Sequence, residues 1–202
     1  MKRLFIALLM GLPLVATAQD NAWEKVQTTT TTANPDQKYL AGAVPEVDGQ
    51  VVFEKTIKAP GKNARQVYDI MLNQLETLTA GPEQFEQSAV TLRNVEELQI
   101  VGSYQEWLVF KNKPLNLDRT RLFYHLIVDC RDGEATVKMT RIVYLYDEER
   151  EAQTYYANEW ITDRYGLNKK KNKLARVSGK FRRKTIDRKD YLFEKFTIAL
   201  NR

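Results

Sequence analysis

The chain is poor in the residues from which catalytic and metal centres are built. Its 202 residues include one cysteine, Cys130, one histidine, His125, and three serines, Ser88, Ser103 and Ser178. A single cysteine excludes an intramolecular disulfide. One His and one Cys without clustered ligand spacing give no pattern for zinc. His125 and Cys130 lie five residues apart in one expected strand, so their side chains point to opposite faces and do not form a Cys–His dyad. No serine sits in a nucleophile-elbow pattern, and there is no glycine-rich phosphate loop. Beyond residue 18 no stretch approaches the ~18 apolar residues of a spanning helix. The sequence therefore calls for no cofactor, no metal and no identifiable catalytic group.

The first eighteen residues are of another kind. Lys2 and Arg3 precede a short apolar stretch at 4–15, interrupted by Gly11 and Pro13, and Ala16-Thr17-Ala18 follows as a small-x-small cleavage pattern. This predicts a signal peptide cleaved after Ala18 and a periplasmic or secreted protein without a transmembrane segment. Residues 19–43, with five consecutive threonines (Thr28 to Thr32) and Asn34-Pro35-Asp36, read as a disordered lead-in. Residues 44–202 read as a single α+β domain, of which 147–190 form a basic and less secure extension.

Loss of Lys2 and Arg3 would take the net charge from +5 to +3. That small total hides an asymmetry. Between Arg164 and Asp190, twelve Lys or Arg against two Asp give +10; between Gln19 and Asp163, 15 basic and 23 acidic residues give −8. Such a split points either to an anionic partner or to internal electrostatic matching.

Periodicity supplies the elements. Val51, Phe53, Lys55 and Ile57 alternate on one strand face, after a turn at Asp48-Gly49. Asn63, with Gln66 three residues on, forms a capping box for a helix burying Val67, Ile70, Met71, Leu75 and Leu78, which should stop before Gly81-Pro82. Strands are expected at 89–93, 98–110, 117–130 and 135–146, with a hairpin turn at Asp132-Gly133. In the last strand Ala135, Val137, Met139, Val143 and Leu145 share a face, except that Arg141 falls in the same row, which implies snorkelling or a bulge. A short helix is expected at 155–165. A final helix should start at Arg188, capped by Asp187 and stapled by Ile186 and Tyr191. The fold class is a curved antiparallel sheet, ordered strand, helix, strand meander, helix, with helices on one face. Cys130 reads as a buried thiol.

The candidate site is the basic run: Lys169, Lys170, Lys171, Lys173, Arg176, Lys180, Arg182, Arg183 and Lys184, with Phe181 among them. It suits phosphate or another anion. Export makes nucleic acid an unlikely partner and favours an anionic ligand or acidic protein of the envelope. The alternative is a solvated face that balances the acidic sheet. The dense carboxylates, Glu96-Glu97 and Glu148-Glu149-Glu151, fall in expected turns.

The run Val44-Pro45-Glu46-Val47-Asp48-Gly49-Gln50-Val51-Val52-Phe53, with the helix holding Val67-Tyr68-Asp69, resembles a family of exported Bacteroides-type proteins. That family is a domain of unknown function with a TATA-binding-protein-like (TBP-like) fold, and the likeness spans residues 44–147. It implies the curved sheet and no activity. The function expected is a noncatalytic ligand- or partner-binding module of the cell envelope. An envelope-acting hydrolase with an unidentified acidic site and a self-associating structural module, a homo-oligomer, remain as alternatives.

Overall fold

Two tight turns set the first elements in place. Asp48 and Gly49 both have positive φ, 51° and 74°, the geometry of a two-residue hairpin turn, and they join β1 (Glu46–Val47) to β2 (Gln50–Val51). The expected strand then continues as β3 (Phe53–Lys58), with Phe53 and Ile57 buried. The computed structural model describes Asn21, Trp23, Glu24 and residues 34–202. The expected signal peptide lies outside the described residues.

Helix α1 (Ala64–Thr79) begins as its capping box dictates. The Asn63 side chain accepts from the Gln66 amide at 2.9 Å, and the Gln66 side chain accepts from the Asn63 amide at 2.9 Å. It buries Val67, Tyr68, Met71, Leu75 and Leu78 and ends before Gly81. The meander follows as β4 (Ala89–Asn94), β5 (Gln99–Lys113), β6 (Asn116–Arg131) and β7 (Glu134–Tyr146), then β8 (Gln153–Tyr156). All pairs are antiparallel; the order is β3-β7-β6-β5-β4, with β8 beside β3 on the outer edge of β7. Helices α2 (Ala157–Trp160) and α3 (Gly179–Leu200) complete the fold. No helix among the described residues is long and apolar enough to cross a membrane.

One row of alternating residues on the sheet is buried beneath the helices: Ile100, Tyr104 and Leu108 of β5, Leu122, Tyr124, Leu126, Val128 and Cys130 of β6, and Ala135, Val137 and Met139 of β7. With Leu75 and Met71 of α1 and Phe181, Leu192 and Phe196 of α3 they form one core. The opposite row, which includes Val101, Phe123, Ile127, Val143 and Leu145, is only half-buried. His125 lies in that row and Cys130 in the buried one.

Four expectations are corrected. The face assigned to the end of β7 inverts at a bulge. Arg141 has φ 52°, the β6–β7 register shifts between Phe123 and His125, and Ile142 and Tyr144 enter the core in place of Val143 and Leu145. A two-versus-one count reverses every side chain beyond it. The last helix starts nine residues early, at Gly179, and buries Phe181, Arg182 and Thr185 in its first two turns. Asp187 is therefore not its cap. Instead it binds Lys38 at 2.6 Å and accepts from the Tyr39 hydroxyl at 2.8 Å. The segment 155–165 is partly strand, with one helical turn at Ala157–Trp160. Part of the expected lead-in is packed: Gln37–Tyr39 form a 3-10 turn, and Trp23, Tyr39, Leu40 and Val44 are buried.

Candidate functional site

The nine basic residues marked in the sequence divide into two groups. Lys169, Lys170, Lys171, Lys173 and Arg176 are exposed on the loop between α2 and α3, without an ion-pair partner among the described residues. This loop is braced. Leu167 and Leu174 form an antiparallel bridge, and the Asn168 amide donates to the Lys173 carbonyl at 2.9 Å. The Asn168 side-chain oxygen accepts from the amides of Asn172 and Lys173 at 3.1 and 3.2 Å. Lys171 sits at φ 54°. The backbone thus holds three consecutive lysines outward at a tight bend.

The other four are turned inward, because α3 carries them against the chain's own carboxylates. Lys180 binds Asp118 at 2.7 Å and donates to the Tyr146 hydroxyl at 3.1 Å. Arg183 binds Asp36 at 2.7 Å, and Lys184 binds Glu24. Arg182 is fully buried. It donates to the carbonyls of Tyr39 at 2.6 Å, Leu40 at 2.6 Å and Ile161 at 2.7 Å, and to Asp163 at 2.8 Å. Burial lowers its pKa from the usual value, and Asp163 opposes that shift. These four residues tie the N-terminal segment and the sheet to α3.

The carboxylates of Glu148 and Glu149 do not converge as an acid–base pair. Glu148 binds Arg121 at 3.0 Å and Glu149 binds Arg119 at 2.7 Å. The two guanidiniums stack on aromatic rings, Arg119 over Trp107 at 3.7 Å and Arg121 over Phe85 at 4.1 Å. A cavity of about 570 Å³ lies between α3 and the N-terminal residues, lined in part by Trp23, Lys38, Tyr39, Asp187, Asp190 and Tyr191. Two of its acids are engaged: Lys38 reaches both Asp187 and Asp190. Burial, with Asp187 beside it, pushes the Tyr39 hydroxyl up to about 12. Among the described residues no group of three or more His, Cys, Asp or Glu is placed to hold a metal.

Sequence reasoning missed a buried ion pair. Glu106 lies in the core row of β5 and Arg188 in α3, both fully buried, with Nε donating to Oε1 at 2.7 Å. Glu83 accepts from the same guanidinium at 3.1 Å, and Gln84 donates to Glu106. Burial raises the Glu106 pKa, and Arg188 pulls it back. Burial works most strongly against the Arg188 charge, but Glu106, Tyr124 and Glu83 together outweigh it and hold the guanidinium above its usual value. The one available signal was Glu106 falling in register with Tyr104 and Leu108. His125 is half-buried on the other face; burial, with Arg141 nearby, lowers its pKa.

A family model described as "Domain of unknown function (DUF4468) with TBP-like fold" matches residues 53–145. Among solved structures, a DUF4468 family protein from Bacteroides ovatus ATCC 8483 is similar at 38% identity and a TM-score of 0.75, over 84% of this chain and 97% of that one. A TBP-like protein from Parabacteroides distasonis ATCC 8503 shares the fold at 17% identity and a TM-score of 0.61, over 78% of this chain and 96% of that one. No curated protein matches the chain.

Proposed function

The chain belongs to the DUF4468 family, a domain of unknown function with a TBP-like fold, and on that premise we propose that it is an exported, noncatalytic envelope module that binds an anionic ligand or partner through its basic loop. One observation carries this reading. Lys169, Lys170, Lys171, Lys173 and Arg176 stand exposed on a braced loop while the neighbouring Lys180, Arg182, Arg183 and Lys184 are engaged internally. A solvated surface needs no such bracing. A fold shared with a DNA-binding protein does not bring DNA binding with it. The strands of the TATA-binding protein meet DNA, whereas here the unpaired loop cations lie off the sheet, and the helix-free row pairs Glu54 with Lys138 and Asp129 with Gln99.

The probe is a soluble polyanion such as heparin. Changing Lys169, Lys170, Lys171 and Lys173 together to Gln should abolish a salt-sensitive interaction, while Arg183→Gln should leave it intact. Retention of heparin binding by the fourfold variant would overturn the assignment. For export, N-terminal sequencing of protein taken from the envelope fraction should begin at Gln19; a start at Met1 would count against it. A second reading, self-association, is favoured by the half-buried apolar residues Val101, Phe123, Ile127, Val143 and Leu145 on the helix-free face. Light scattering would show a dimer that Phe123→Lys disrupts.

A further inference from the structure

The β5–β6 hairpin outruns its neighbours. β4 pairs with β5 only as far as Ser103, and β7 pairs with β6 only as far as Thr120, yet β5 and β6 stay paired out to Lys113 and Asn116. The outer part of the hairpin is a two-stranded arm. Side chains brace its base: Asn21 bonds both backbone groups of Val109, at 2.8 and 3.0 Å, and Lys180 and Tyr146 hold Asp118.

The tip is built against ordinary preference. Pro114 and Leu115 make the turn, and Leu115 has φ 62°, where glycine or asparagine is the usual occupant. A branched apolar side chain there is strained, and this one is fully exposed. Leu117 beside it is half exposed. Lys111 and Lys113 flank them, exposed and without a carboxylate among the described residues.

The basic loop shares this end of the fold. It leads directly into α3, whose first turn is fixed to the base of the arm by Lys180 on Asp118 and by Phe181 against Phe110, with ring centroids 4.6 Å apart. From there α3 runs to the opposite end, where Asn201 donates to the Lys58 carbonyl beside the β6–β7 turn. Asp118, Glu148 and Glu149 are neutralised by Lys180, Arg121 and Arg119. Asp147 and Glu151 on the β7–β8 connection remain exposed, against Lys111, Lys113 and the five loop cations.

We infer that this end of the molecule docks on an anionic lipid bilayer, with Leu115 and Leu117 entering the boundary between headgroups and acyl chains and the lysines of the arm and loop contacting lipid phosphates. The inference rests on the preceding reading and names its partner. An exposed apolar tip beside dispersed cations matches a planar anionic surface: apolar side chains insert a few ångströms while basic ones are attracted to the headgroups. Each lysine near such a surface strengthens binding about fivefold.

The experiment uses the full chain carrying Leu115→Cys, labelled with an environment-sensitive fluorophore. Cys130 is buried, so the label goes to position 115. Mixed phosphatidylcholine–phosphatidylglycerol vesicles should shift the emission to the blue, high salt should reverse the shift, and pure phosphatidylcholine should give none. The label reports the tip alone, whatever the apolar stretch at 4–15 does. Leu115→Asn, whose side chain tolerates the positive φ, should keep the fold and, combined with Leu117→Asn, weaken vesicle binding by about tenfold or more. An unshifted label with heparin binding intact overturns the bilayer and leaves the anion reading standing; loss of both ends both.

Discussion

Replacing Arg182 with methionine should destabilise the protein and release its N-terminal segment before anything else. Methionine keeps the length of the stem and removes the guanidinium. Three backbone carbonyls then lose a charged donor: those of Tyr39, Leu40 and Ile161. The Leu40 carbonyl keeps one partner, the Ala43 amide at 3.1 Å, and Asp163 keeps the Gly42 amide at 2.8 Å. The loss is therefore smaller than four separate charged bonds at ~1.5–3 kcal/mol each and sits near the ~3–5 kcal/mol of breaking a buried ion pair from one side. At roughly 2–4 °C per kcal/mol for a domain of this size, Tm should fall by about 10 °C. Hydrogen exchange should show the Leu40, Gly42 and Ala43 amides losing protection first. Arg182→Lys should recover little, because one ammonium cannot reach three carbonyls at once. A Tm within about 2 °C of wild type, with those amides still protected, would refute the argument that Arg182 is the tie.

Removing the Glu106 carboxylate alone, as Glu106→Leu, should cost about 3–5 kcal/mol by leaving the buried Arg188 with only the part-exposed Glu83, and the pair Glu106→Leu, Arg188→Met should recover much of that; additive losses in a denaturation cycle would contradict the coupling. Asn63→Ala should cost about 1 kcal/mol by opening the capping box of α1, visible as a lower denaturation midpoint. Cys130, pushed up to about 12 by burial with Asp129 adding, should resist thiol reagents at neutral pH until the protein unfolds. Its folded pKa lies above its usual 9, so the stability of the buried thiol is complete below pH 9 and is lost as pH rises towards 12; a flat stability profile across that window would count against it.

Period-2 alternation and one capping motif carried most of the fold. Asn63 and Gln66 marked the start of α1 because capping is a local bond between residues three apart. Asp132-Gly133 marked the β6–β7 turn for the same reason: Gly133 takes φ 73°. What alternation could not supply was a count error inside a strand. Arg141 appeared as an intruder in an apolar row, and snorkelling and a bulge fit that pattern equally well. The bulge placed Tyr144 beside Thr185, with the two hydroxyls 2.7 Å apart, and against Phe181, long-range contacts that no local pattern encodes. The start of α3 was hidden likewise. Lys180 to Lys184 interrupt the apolar stripe with charge, and only tertiary pairing makes those residues compatible with a packed helix.

The same pairing divides the basic run. Its charges are similar in sequence, but their partners lie 19 to 160 residues away: Asp163 for Arg182, Asp118 for Lys180, Glu24 for Lys184. The charge split between the two parts of the chain is therefore half matched internally. The acidic portion neutralises the cations that fall on α3, and the loop ahead of it, which no carboxylate among the described residues answers, keeps its five. Internal matching accounts for the cations from Lys180 to Lys184, and the proposed anionic partner concerns only the loop residues; the division falls at Gly179, where helix α3 begins. Neutralising the loop should therefore change binding and leave stability nearly untouched, whereas neutralising Lys180 to Lys184 should do the reverse.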